Sequence, residues 1–178
     1  EPLGIACMSN LISNQRIITL MGTGTSVGVP VIGCDCEVCT STNPRNQRTR
    51  TGAAEHVPQG CFLIDTPPEL RLQLEQEKIR IVEAVIYTHG HADHLFGLDD
   101  LRICGQYLKR PITLYCEPDV ERHIRDTFAY AFKLPYPNNH PGANPQMGIQ
   151  IVGNYPVYVF GQGLVSIPLN ACQFAVFG

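Results

Sequence analysis

The sequence predicts a single layered α/β domain. Strand-like apolar runs and helix-like segments mix along the chain without an internal repeat, and no linker-like stretch divides it. A length of 178 residues suits one domain or a large part of one, and 44% hydrophobic residues can fill an ordinary core.

Residues 1–15 read as an N-terminal extension, expected to be disordered, with Met8 a candidate start; the domain then runs from 16 to 178. Arg16 to Met21 reads as a buried strand, followed by the loop Gly22-Thr23-Gly24-Thr25-Ser26. The glycines there are turn residues or a weak signal of phosphate contact. Residues 30–48, rich in Pro, Cys, Asn and Arg, form an excursion too long for an idle connection. Arg50 to Val57 and Cys61 to Asp65 read as strands joined at Pro58-Gln59-Gly60. Thr66-Pro67-Pro68-Glu69 then reads as a helix start. Thr66 is the cap, proline suits the first turn and Glu69 completes a capping box, with Leu70 and Leu74 one turn apart on the buried face. A strand over 81–87 follows, then a helix over 99–108 led by Asp99-Asp100, a strand over 112–116 and a helix over 117–132. Residues 133–148 read as a loop or lid, and 149–152, 157–160, 164–169 and 172–177 as short strands.

The run Thr88-His89-Gly90-His91-Ala92-Asp93-His94 carries the chemistry. Six residues hold three of the chain's six histidines and a carboxylate, between a strand and the apolar Leu95-Phe96-Gly97-Leu98. Neutral imidazole and carboxylate are ligands that suit zinc and its first-row neighbours. The H-x-H spacing lets two rings converge from an extended backbone, and Asp93 and His94 follow where the chain turns toward a second ion. A two-metal hydrolytic site is the natural reading. A solvated His-rich loop is the bland alternative, and the apolar flanks argue against it. His56, His123 and His140 have no such context and read as strand-end, helix-surface and loop residues.

Of eight cysteines, Cys34, Cys36 and Cys39 are too tightly clustered to bridge one another, and Cys61, Cys104 and Cys116 sit in apolar runs as small hydrophobes. This distribution indicates a reducing cytoplasm with thiols kept for metal. Thiolates strung along a segment that lacks its own core point to zinc; three unconnected thiols are the alternative. The net charge of −3 and pI near 6.1 exclude a general attraction to nucleic acid or anionic membrane, with a local basic strip at Arg45, Arg48 and Arg50. No apolar run approaches the ~18 residues of a membrane span, and no signal peptide precedes the first strand.

With H-x-H-x-D-H standing as His89-Gly90-His91-Ala92-Asp93-His94, the chain resembles the metallo-β-lactamase-fold hydrolases. Met21 to Ser26, with Gly28-Val29-Pro30, is similar to the opening of the subgroup holding ribonuclease Z and the phosphoribosyl cyclic phosphodiesterases. The block Gly33-Cys34-Asp35-Cys36-Glu37-Val38-Cys39 looks like the latter, PhnP-like branch. The resemblance implies an αββα four-layer sandwich with two divalent ions, Zn or Mn, at the active site. His89 and His91 would bind the first ion and Asp93 and His94 the second, around a bridging hydroxide that Asp93 also orients. Asp65 would brace the histidine loop, or else merely end its strand. Cys34, Cys36 and Cys39 would hold one structural zinc, completed in such proteins by a histidine near the C-terminus. The expected partner is a small cyclic or nucleotide-like phosphodiester. No membrane partner is expected, the charge disfavours nucleic acid, and a homodimer is compatible with the sequence.

One departure stands out. The family's third histidine for the first metal follows an I-P-L segment, and here Ile167-Pro168-Leu169-Asn170-Ala171-Cys172 puts Ala171 at that position, with Cys172 beside it. The chain stops at Gly178, ahead of the positions for a bridging aspartate and the last histidines. Two explanations compete, a C-terminally truncated hydrolase and a short paralogue with half a site. Truncation is the expectation, and with it little or no activity from this chain alone. The non-enzymatic alternative is a zinc-binding structural protein; a ribonuclease Z-like endonuclease and a thioester or lactone hydrolase are the other enzymatic ones.

Overall fold

The computed structural model describes residues 16–133, 147–151, 157–159, 162–169 and 173–177. The expected extension 1–15, most of the 133–148 loop and the Asn170–Cys172 segment lie outside the described residues.

Six strands form one mixed sheet in sequence order: β1 (Ile17–Gly22), β2 (Gly52–Val57), β3 (Gly60–Ile64), β4 (Ala84–Ile86), β5 (Ile112–Cys116) and β6 (Met147–Ile151). The first two pairings are antiparallel and the remaining three parallel. Parallel neighbours need a crossover, and helices supply it. Helix α1 (Leu70–Gln76) follows β3, α2 (Ala92–Leu95) and α3 (Arg102–Leu108) lie between β4 and β5, and α4 (Pro118–Thr127) lies between β5 and β6. A second, antiparallel sheet holds β7 (Val157–Val159), β8 (Gln162–Leu169) and β9 (Gln173–Phe177).

The core sits under the parallel strands. Phe62, Leu63, Ala84, Val85, Ile112 and Leu114 are buried on both faces of the sheet's middle, as strands covered by helices require. Leu70 and Leu74 of α1, Leu95, Leu98 and Leu101 of the next crossover, and Val120 and Ile124 of α4 complete it. Each such side chain contributes about 1.5–3 kcal/mol by leaving water. Cys61, Cys104 and Cys116 are buried free thiols in this core. Burial, above all, pushes Cys61 and Cys116 up to about 12, so both stay protonated packing residues.

Three expectations need correction. The strand near residues 16–21 is buried only at its end: Met21 is 5% exposed and joins the core, whereas Ile18 and Leu20, on the other face of this edge strand, are 64% and 66% exposed. Thr66 does not cap a helix. Helix α1 begins at Leu70, its N-cap Glu69 makes no side-chain cap bond, and Thr66 is turned into the core. The capping box fails because stronger partners take both residues: Thr66 meets Tyr87 and Leu95, and Glu69 meets Arg50 at 2.5 Å. Finally, the helix expected over 99–108 starts as a 3-10 turn, Leu98–Leu101, before α3, and α4 ends at Thr127 with a 3-10 turn, Ala129–Phe132, after it.

Candidate metal centre

The ends of the parallel strands line up. Ile64 pairs with Ile86 and Ile86 with Tyr115, so the residues just past β3, β4 and β5 share the carboxyl edge of the sheet. Open α/β sheets place ligand sites there. Asp65 follows β3 and the histidine loop follows β4.

Asp65 adopts φ 63°, a left-handed conformation that aspartate tolerates better than most residues. Its backbone N–H donates to the Ile86 carbonyl at 2.9 Å, and its side chain is 5% exposed. Oδ1 accepts from the Thr88 backbone N–H at 2.8 Å. Oδ2 accepts from the Thr88 hydroxyl at 2.7 Å and pairs with His94 Nδ1 at 2.7 Å.

These bonds fix the tautomers. A carboxylate only accepts, so His94 carries a proton on Nδ1 and offers its Nε2 lone pair when neutral. The Thr88 hydroxyl gives its single proton to Asp65. At His89 Nδ1, 3.0 Å away, the Thr88 oxygen therefore accepts, and His89 also offers Nε2. One aspartate thus sets two imidazoles. The Asp65 hydrogen bond raises His94 above the ordinary imidazole range, while burial and then the neighbouring His94 lower His89.

The rings of the histidine loop are neighbours, although among the described residues only the three cysteines bring three ligand atoms within 4.8 Å of one another. The rings of His89 and His91 lie 4.6 Å apart between centroids, and those of His89 and His94 4.0 Å apart. His94 Nε2 lies 3.3 Å from Asp93 Oδ2. Two ligands about 2.0–2.1 Å from a tetrahedral zinc ion are separated by about 3.3–3.4 Å, so this edge fits a shared ion.

Thr66 and Tyr87 brace the same loop from below. The Thr66 N–H donates to the His94 carbonyl at 2.8 Å and the Gly97 N–H to the Thr66 carbonyl at 2.9 Å. The Thr66 hydroxyl lies 2.9 Å from the Tyr87 hydroxyl and 3.2 Å from the Leu95 carbonyl. Sequence reasoning missed Thr66, Tyr87 and Thr88 in these roles. The available signal was polar residues flanking apolar strand ends, directly before the His loop.

Cys34, Cys36 and Cys39 have their sulfur atoms all within 4.8 Å of one another. No residue from 29 to 51 is buried, so this excursion has no core to hold it. Val31 N–H donates to Cys39 Sγ at 3.3 Å. The Cys39 backbone N–H, helped by the Cys34 and Cys39 thiols, lowers Cys36 to about 7. Cys39 is pulled down by the Val31 amide, but burial and the two neighbouring sulfurs outweigh it and leave it raised. Soft donors on a segment lacking a core fit zinc.

Other candidates have plainer places. His56 lies in β2 opposite Ile17 and Cys61. Arg50 is tied to Ser26 and Glu69, and Arg48 donates to the Arg45 carbonyl, so the basic strip is partly spent on its own loop. Gly22 and Gly24 allow close approach: a Cβ on either would strike the backbone of residues 48–50. His140, Ala171 and Cys172 fall outside the described residues. Among the described residues, no helix is long and apolar enough to cross a membrane.

The model of the beta-lactamase superfamily domain matches residues 61–163, from β3 through the histidine loop into β8. The chain belongs to the beta-lactamase superfamily. A solved diphosphatase of the PhnP family is 34% identical and superposes with a TM-score of 0.76, covering 87% of this chain and 58% of that one. The Zn(2+)-bound PqqB of Methylobacterium extorquens, 22% identical with a TM-score of 0.66, covers 87% of this chain and 56% of its own, and shares the fold. An octanoyltransferase of Porphyromonas gingivalis is 45% identical over 121 residues, 66% of this chain but 24% of that protein. The chain thus spans less than two thirds of each relative. The fold is the metallo-β-lactamase fold, and its superfamily is one of metallo-hydrolases.

Proposed function

We propose that this chain belongs to a metal-dependent hydrolase that cleaves a small cyclic or nucleotide-like phosphodiester. One observation carries the reading: Asp65 and Thr88 turn the Nε2 lone pairs of His89 and His94 outward, and Asp93 lies 3.3 Å from the latter. In this reading His89 and His91 hold one divalent ion and Asp93 and His94 a second, with Zn or Mn both suiting nitrogen and carboxylate donors. Ions held there supply Lewis acidity and a nucleophile drawn from water at neutral pH. The chain's own residues do the rest. Asp65 keeps the Nδ1 protons in place, Thr88 relays that order to His89, and the Asp93 carboxylate orients the attacking water and accepts its proton. Cys34, Cys36 and Cys39 would hold a structural zinc, whose binding would supply folding free energy to the excursion. The 34% identity to a PhnP-family diphosphatase and the net charge of −3 favour a small phosphoester over a polynucleotide.

The test sets hydrolysis of bis(p-nitrophenyl) phosphate against a thioester, with added Mn or Zn, in a full-length form carrying the complete ligand set, as wild type and His89→Ala. Metal-dependent phosphodiester turnover, lost in the variant at unchanged melting temperature, is expected. Thioester turnover without phosphodiester turnover would overturn the substrate class. A second reading, a zinc-binding structural protein, draws on the three thiols, the only set of three or more donors among the described residues whose ligand atoms all lie within 4.8 Å of one another. It predicts that Cys36→Ala loses stability while His89→Ala changes neither metal content nor turnover.

A further inference from the structure

Gly90 separates the two imidazoles of the H-x-H pair. A Cβ placed on it would lie 2.9 Å from Nδ1 of His123, 3.4 Å from its Cγ and 3.6 Å from its Cβ. His123 stands on α4 as an exposed residue, so core packing does not explain the approach. The rings of His89 and His91 lie together, with centroids 4.6 Å apart, and His91 is extended at φ −75°, ψ 153°. In an extended run adjacent side chains take opposite sides, so His123 meets the loop from behind the two rings.

The same helix grips the far end of the loop. Phe128, the C-cap of α4, meets Phe96 edge to face at 6.2 Å, and Tyr130 in the following turn donates to Asp99 Oδ1 at 2.7 Å. Asp65 holds the loop from β3 at Thr88 and His94. Between those two points the chain must still be held at the right height for two rings to converge.

We propose that His123 is a positioning residue for the first metal: its imidazole backs Gly90 and sets the spacing of His89 and His91. The inference deepens the metal reading above and rests on it. A residue without a side chain at position 90 and an imidazole at position 123 are a matched pair.

The test uses the full 178-residue protein as wild type, Gly90→Ala, His123→Ala, His123→Asn and the double variant Gly90→Ala with His123→Ala. Manganese alone is the probe, read by its electron paramagnetic resonance, because nitrogen and oxygen donors take manganese while thiolates prefer softer ions. His123→Ala is expected to weaken manganese binding about 10-fold, the size of a lost ligand-orienting contact, and to change the spectral splitting. His123→Asn, whose side-chain amide can occupy the Nδ1 position, restores much of both. Gly90→Ala weakens binding, and the double variant binds better than the sum of the single changes predicts. Wild-type affinity and spectrum in His123→Ala, with or without a lower melting temperature, overturn the inference alone. Strict additivity of the two substitutions does the same. A wild-type chain that takes up no manganese overturns the metal reading, and this inference falls with it.

Discussion

Replacing Asp65 by asparagine preserves size and tolerance of the left-handed backbone at φ 63° while reversing one side of the hydrogen-bond pattern. The amide oxygen must take the Oδ1 position to accept from the Thr88 N–H, which puts the amide NH2 where Oδ2 met the Thr88 hydroxyl and His94 Nδ1. The NH2 donates to both. His94 then accepts at Nδ1 and holds its proton on Nε2. The Thr88 hydroxyl, no longer donating to a carboxylate, donates to His89 Nδ1, and that ring flips its proton in the same way. Two ligand lone pairs are lost through one atom exchange. Orienting partners of metal ligands are worth 10–100-fold in affinity, or about 1.4–2.7 kcal/mol. Stability falls as well, since hydrogen bonds to a charged group contribute about 1.5–3 kcal/mol while the replacement bonds recover part of that. For a domain of this size, a net 2 kcal/mol lowers the melting temperature by roughly 4–8 °C. Asp65→Ala adds a left-handed backbone penalty of about 1–2 kcal/mol. Calorimetric titration with manganese and thermal melting measure the two effects separately. Wild-type manganese affinity in Asp65→Asn would refute the tautomer argument.

Thr66→Val leaves the fully buried Tyr87 hydroxyl without its partner, so it should cost about 1–3 kcal/mol, and more than Tyr87→Phe, which leaves Thr66 its bond to Leu95; urea unfolding compares them, and equal costs would count against the brace. Gly97→Ala drives a Cβ to 2.2 Å from the Pro67 carbonyl and 2.7 Å from Leu70 Cβ, and it is expected to lose at least the ~1–3 kcal/mol typical of overpacking, read by the same unfolding curve. Stripping metal from the cysteine site with a chelator should open residues 30–48 to protease while the core of β3, β4 and β5 stays protected. An unchanged cleavage pattern would argue that the excursion is ordered by its hydrogen bonds alone.

The strands, and the nearness of the donor side chains within each of the two clusters, were legible because each rests on local pattern: apolar runs of strand length, and donor residues at short spacing. The buried cysteines were readable from their apolar surroundings, and their burial at Cys61, Cys104 and Cys116 follows. What the sequence concealed was tertiary competition. Thr66 has every local mark of a helix cap, yet Tyr87 and Leu95 meet its hydroxyl across long sequence separations. Likewise β1 has the composition of a buried strand, and only its place at the sheet edge leaves Ile18 and Leu20 in solvent. The pairing of Gly90 with His123 spans two elements and has no local signature at all.

The most direct test of the metal assignment is anomalous diffraction at the zinc edge from crystals of the zinc-loaded chain. A peak about 2.0–2.2 Å from His94 Nε2 and the Asp93 carboxylate, in addition to one among the three cysteine sulfurs, is the predicted result. A peak at the cysteines with none at the histidine loop would contradict the account and leave the chain a structural zinc protein.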